Sequence, residues 1–189
     1  MPDFDHFGFL APFYERVIKP RVNDPLHNIA GLPVKGSLLD AGGGTGRIAQ
    51  TLVGMAGQII VADLSLKMLR EAARKASLGV VNSHSERLPF SDRVFERILM
   101  VDAMHHVCDQ KQTVQELYRV LAPGGRIVIE EPDLRHWAVK LIAVGEKLAL
   151  MRSHFLSPPR IAELFGSYAA QVEIVNIGAN AYVIVDKPS

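Results

Sequence analysis

The chain has 189 residues, 48% of them hydrophobic, which is enough for one domain with a substantial core and short for two. Twenty-one Lys and Arg stand against twenty Asp and Glu, and no run of five like charges occurs, so the basic patch of a nucleic-acid binder is missing. The single cysteine, Cys108, excludes an intramolecular disulfide, and no Cys/His spacing of zinc type is present.

The opening stretch MPDFDHFGFLAPFYERVIKP is aromatic and acidic and lacks the basic start and apolar run of a signal peptide. Together with one cysteine this sets the expectation of a protein kept in the reducing cytoplasm, with no integral membrane segment. The most apolar later stretch, AVKLIAVGEKLALM, is interrupted by Lys140, Glu146 and Lys147 and is too short to span a bilayer.

From residue 37 to about 131, short β-branched runs alternate with segments of helical period, the pattern of βαβ units on a parallel sheet. Strands are expected at Ser37 to Asp40, Gln58 to Ala62, Val80 to Ser83, Arg97 to Val101 and Arg126 to Glu130. Helices fit Thr45 to Met55, Ser65 to Ser77 and Gln110 to Leu121, with Ser65 as an N-cap whose hydroxyl accepts from the first turn. Ser157-Pro158-Pro159-Arg160 reads as another helix start. VEIVNIG and AYVIVDKP, separated by Ala179 and Asn180, then read as an antiparallel hairpin closing the sheet. Residues 1 to 30 and 132 to 165 are expected outside the sheet core.

The stretch LLDAGGGTGR, residues 38 to 47, carries the chemistry. Asp40 closes the first strand, and Gly42, Gly44 and Gly46 follow at every second position, allowing a ligand to approach bare backbone. Gly44, Gly46 and Ala49 also satisfy the dinucleotide pattern G-x-G-x-x-A, so a nicotinamide-dependent oxidoreductase is one reading. Asp40 points elsewhere, because a carboxylate at the foot of the loop repels a pyrophosphate and suits a cofactor whose amino-acid end carries an ammonium group.

LLDAGGGTGR resembles motif I of the class I S-adenosylmethionine-dependent methyltransferases. The resemblance implies a Rossmann-like α/β fold: a doubly wound, mostly parallel seven-stranded sheet with an antiparallel C-terminal hairpin strand. It also implies S-adenosylmethionine as cofactor, with Asp40 near its amino group, Asp63 in VADLS holding the ribose hydroxyls and Leu64 against the adenine face. SERLPFSDRVFERILMVDAMHHV resembles the D-A-E-x-L-P-F stretch of the small-molecule subgroup, with His84 in place of the usual Asp. Ser85 then contacts adenine through its backbone, and Glu86 and Asp102 complete the expected cofactor contacts. The N-terminal aromatics resemble the opening of ubiquinone and menaquinone-biosynthesis methyltransferases, in which an aromatic near Tyr14 helps cover the cofactor; a hydrophobic anchor to the sheet is the equal alternative.

After the fourth strand, DAMHH stands where amino-group methyltransferases carry a D/N-P-P-Y-like tetrapeptide, which favours a small apolar or aromatic acceptor methylated at carbon or oxygen. His105 and His106 are the candidate bases, His106 being preferred, since an imidazole near neutrality can take a phenol or enol proton. The whole chain is expected to be one methyltransferase domain, with residues 1 to 30 as cofactor cover and 132 to 165 as a short acceptor-side lid. Residues 132 to 156 present a wide apolar surface, read as a buried helix, a pocket lining or a homodimer contact. A non-catalytic relative that keeps the fold as a partner-binding module is the remaining alternative.

Overall fold

The computed structural model describes residues 25–132 and 154–189. Their strands form one seven-stranded sheet: β1 (Ser37–Ala41), β2 (Gln58–Asp63), β3 (Leu78–Asn82), β4 (Phe95–Val101), β5 (Leu121–Pro132), β6 (Gln171–Ile177) and β7 (Asn180–Asp186). The order across the sheet is β3-β2-β1-β4-β5-β7-β6. β1 to β5 pair in parallel, and β7 runs antiparallel to both β5 and β6. The expected α/β fold and reversed hairpin strand are therefore present. The hairpin turns one residue earlier than expected, at Gly178 and Ala179, because Gly178 supplies the left-handed φ of 61° that the turn requires.

Alternation along the strands divides the core between two faces, as a period of two demands. Leu39, Ile98, Met100, Ile127, Ile129 and Val183 pack on one side with α4 (Gln110–Val120) and α5 (Pro158–Glu163). Leu38, Ile59, Val61, Leu99, Val128 and Tyr182 pack on the other with α1 (Leu26–Ile29), α2 (Arg47–Thr51) and α3 (Leu66–Ala72). Helices on both faces make the sheet doubly wound, and β1, covered on both, buries everything from Leu38 to Ala41.

Several boundaries move. α2 and α3 end earlier than expected, at Thr51 and Ala72, while β5 begins at Leu121, directly out of α4. The β4–β5 register steps from Phe95 opposite Leu121 to Arg97 opposite Arg126, so Ala122 to Gly125 form an irregular entry into the strand. Segment 1 to 30 does not lie wholly outside the core: Leu26 and Ala30 are fully buried. Two arginines hold them there. Arg97 Nε donates to Ala30 O at 2.6 Å and Arg126 Nη1 to Ile29 O at 2.8 Å, meeting the carbonyls that a helix end leaves unmet. Ser65 caps α3 as expected, its hydroxyl accepting from Met68 N, and α5 starts at Pro158.

Gly46 shows how tightly the first βα unit closes. Its φ is +69°, and a β-carbon would lie 2.9 Å from Leu78 and 3.3 Å from both Ala72 and Val61. Gly46→Ala should therefore lower stability by about 1 to 3 kcal/mol, read as a lower urea midpoint at unchanged slope.

Candidate cofactor and acceptor site

The strand order reverses direction between β1 and β4, and in open α/β sheets the crevice at such a point, beyond the C-terminal strand ends, receives ligands. Gly42 stands at that crevice with φ +70°, and a β-carbon there would lie 2.7 Å from Ala103 Cβ, just past β4. Only glycine allows the two loops this approach. Gly44, at φ +56°, faces open space, the nearest atom to a β-carbon being Asp63 Oδ2 at 4.0 Å.

Asp63, at the tip of β2, is locked by backbone. Gly44 N donates to its Oδ2 and Ser65 N to its Oδ1, each at 2.8 Å. These two donors orient the group beside the turn. Asn82 Nδ2 donates to the carbonyls of Asp63 and Leu64, fixing the chain that holds Leu64, 58% exposed, at the rim. A large apolar side chain so placed suits a flat aromatic ligand.

Asp40 is 1% exposed, and its Oδ2 is buried without a hydrogen-bond partner. Burial first, and the charge of Asp63 second, push its carboxyl up from the usual range to about 7, against a hydrogen bond from Ala49 and the charges of Arg47 and Lys75. Arg47 Nε and Ser83 Oγ are likewise buried without partners. Unmet polar atoms thus gather around the ends of β1 and β3.

The loop after β3 closes this side. His84 is exposed, with Nδ1 3.9 Å from Glu86 Oε2. Glu86 Oε1 accepts from Cys108 N at 2.8 Å and Asp109 N at 3.2 Å, so this expected cofactor contact also ties the loop to the segment after β4. Ser85 is half-buried within the same loop. Beneath it, Glu116 Oε2 accepts from Leu88 N at 2.9 Å, and Arg119 binds Glu116, Asp92 and the carbonyls of Leu88 and Phe90. Sequence reasoning missed this network, whose members lie 28 positions or more from the loop amide and carbonyls they bind.

The opposite lip comes from β4 and β5. Asp102 has a left-handed φ of 52°, unusual for a residue other than glycine, and its amide donates to Glu130 O at 3.0 Å. The turn places Met104–His106 in a short 3-10 helix under the end of β5. Glu131, 4% exposed, accepts from Met104 N at 2.8 Å and contacts His105 Nδ1 at 2.5 Å. His105 is 3% exposed and stacked on Phe155, centroids 4.2 Å apart and planes 13° apart. His106 differs: burial, and then His105, push its imidazole down to about 3, so it stays neutral at physiological pH. A base that weak is a poor proton acceptor near neutrality. Gln110 Nε2 joins Met104 O to His154 O, and His154 N donates to His105 O, tying both sides of this lip together.

Tyr14, most of the expected cofactor cover, and the core of the expected lid and homodimer contact at residues 132 to 156 lie outside the described residues. Among the described residues no helix is long and apolar enough to cross a membrane, and no cluster of three or more His, Cys, Asp or Glu is arranged for a metal.

The fold is shared with solved methyltransferase structures. Residues 39–129 match the family profile described as "Methyltransferase domain". The chain is similar to the ubiquinone/menaquinone biosynthesis C-methyltransferase UbiE of Haemophilus ducreyi, 35% identical over 104 residues, covering 50% of this chain and 40% of that protein. UbiE of Hahella chejuensis is 31% identical over 112 residues, covering 54% and 45%. The aligned stretch thus spans less than half of these relatives' own length. In fold, the chain resembles the methyltransferase of a Haloferax volcanii complex with the Trm112 methyltransferase activator, at a TM-score of 0.83, 17% identity and coverage of 98% and 99%. A SAM-dependent methyltransferase of Thermotoga maritima aligns at 0.76, 22% identity and coverage of 96% and 98%. The dinucleotide reading of Gly44, Gly46 and Ala49 is set aside by the family match.

Two predictions follow from the geometry of the turn. Because the folded state holds its proton to about 7 where the unfolded chain releases it near 4, stability should fall as pH rises between those values. Asp40→Asn should remove that slope, raising the urea midpoint at pH 8 and leaving it unchanged near pH 4. Asp63→Ala should weaken S-adenosylhomocysteine binding by about 1.5 to 3 kcal/mol in calorimetric titration, since charge-assisted bonds are lost; unchanged affinity would remove Asp63 from the ribose.

Proposed function

We propose that this chain transfers a methyl group from S-adenosylmethionine to a carbon or oxygen of a small, apolar or aromatic acceptor in the cytoplasm. The observation that carries the reading is the pairing of a glycine turn bearing the unmet Asp40 carboxylate with a pinned Asp63 carboxylate across one crevice. The cofactor, when bound, supplies an activated methyl group on a positively charged sulfur. Asp40, Asp63, Leu64, Asp102 and the loop of Ser85 and Glu86 orient it; alignment alone can provide much of the acceleration.

On the acceptor side His105 is the better placed of the two histidines. A carboxylate can only accept, so Glu131 holds Nδ1 as the donor and leaves Nε2 as the ring's basic nitrogen. A proton lost by the acceptor on methylation would be taken by Nε2, with Glu131 stabilising the imidazolium so formed. Phe155 and Met104 give the surroundings the apolar character that suits a phenolic or quinol-like ring. The similarity to a C-methyltransferase of quinone biosynthesis supports starting the acceptor search there. Cys108, an exposed free thiol, suits a reducing compartment.

The test is a methyl-transfer screen of phenols and quinols with labelled S-adenosylmethionine, with NADH as a parallel binding control. His105→Gln should lower kcat by about 100-fold or more at unchanged cofactor affinity. His106→Gln should leave the pH profile between 5 and 8 unaltered, because His106 does not titrate there. Loss of activity confined to the His106 variant would reverse the assignment, and binding of NADH alone would remove the methyltransferase reading.

A further inference from the structure

The short stretch that leads into α5 closes over His105. Phe155 stacks on the imidazole, centroids 4.2 Å apart and planes 13° apart, and is itself half-buried, so its ring stands between His105 and solvent on that side. His106 touches the same imidazole, centroids 3.9 Å apart, and Glu131 takes Nδ1, which leaves His105 3% exposed. The stretch is fastened to the segment after β4. His154 N donates to His105 O at 2.7 Å, and Gln110 Nε2 donates to His154 O at 2.7 Å and to Met104 O at 3.0 Å. One side-chain amide thus ties the cover to the ledge beneath it, at a surface position where water competes for the same groups. The other end is anchored: Leu156 packs on the core, and Pro158 and Pro159 open α5, whose Ile161 is 1% exposed. The cover can therefore part at Gln110 without disturbing the core.

We propose that His154 and Phe155 form a strap over the base, latched by Gln110, and that an acceptor reaches His105 only when the latch parts. The proposal rests on the reading of His105 above and adds the step that admits the acceptor. Proton transfer needs contact at hydrogen-bond distance, and a stacked phenyl ring keeps an incoming phenol off the imidazole while the strap is closed. Closure over a bound acceptor then excludes water from the reacting groups. Gln110 suits the latch because a carboxamide nitrogen carries two donors, one for each carbonyl. It is also the first residue of α4, next to the capping Asp109. A glutamate there is favoured by the free amides of the helix start, yet it can donate to neither carbonyl.

Carbethoxylation of the full chain by diethyl pyrocarbonate, followed histidine by histidine with tandem mass spectrometry, reads the opening, since a ring must be uncovered to react. Gln110→Glu and Gln110→Ala should each raise the rate at His105 by about 3- to 10-fold, the change expected for loss of one hydrogen bond, and Phe155→Ala should raise it further. The exposed His84 and the half-buried His27 should react as they do in the wild type. Phenol should slow the reaction of His105 in the Gln110 variants by entering the opened site. An unchanged rate at His105 in the Gln110 variants overturns the latch, and an unchanged rate in Phe155→Ala overturns the cover. A rise shared by His27 marks a general loosening of the fold and overturns both, and absence of protection by phenol overturns the strap as an acceptor gate. Modification needs neither cofactor nor turnover, so the strap stands or falls on these rates, and the reading of His105 as the base on the activity of His105→Gln.

Discussion

The close approach of the glycine turn after β1 to the end of β4 is the constraint on which the site depends. Gly42 lies so near Ala103 that any side chain would push the two strands' exits apart, and this contact sits where the strand order reverses. Without it the crevice would open, and residues after β1 and β4 would no longer face one ligand. The turn is possible because β1 is buried on both faces and its neighbours hold it in register, Leu39 against Ile60 on one side and Ile98 on the other. Packing of the central sheet therefore sets the geometry of the loop.

Electrostatics then work against this arrangement. Asp40 is taken out of water, and Asp63 adds a second negative charge nearby. A buried carboxylate with one oxygen unmet costs stability in the folded state. A positive charge brought to the turn would favour the ionised form. Asp63 is held as well: two backbone amides fix its carboxylate in place.

The two lips are braced in different ways. After β3, Glu86 fastens the loop to the amides of Cys108 and Asp109, and Glu116 with Arg119 fastens it to α4. On the acceptor side, Glu131 fastens both the backbone of Met104 and the ring of His105. Glu86 and Glu131 each bind the segment that leaves β4, so 104–109 is held from both directions and links the cofactor crevice to the acceptor side. A side chain with all its neighbours committed in this way can be held within the narrow tolerances that methyl transfer demands.

The sequence by itself determined the sheet, its reversed strand, the glycine turn, the acid at the tip of β2 and the Ser65 cap. These are local: a period of two, a helix start or a left-handed glycine is decided within a few residues, and the motif records several at once. Even so, the ends of α2, α3 and β5 shifted, because end residues are set by what packs against them. Only the tertiary structure decided which histidine has a carboxylate partner, since Glu131 lies 26 positions from His105 and nothing in D-A-M-H-H distinguishes its two rings. The Glu116 and Arg119 network and the charge state of Asp40 were hidden for the same reason. Burial and unmet hydrogen bonds belong to assembled surroundings, and distant segments meet only when the sheet has closed.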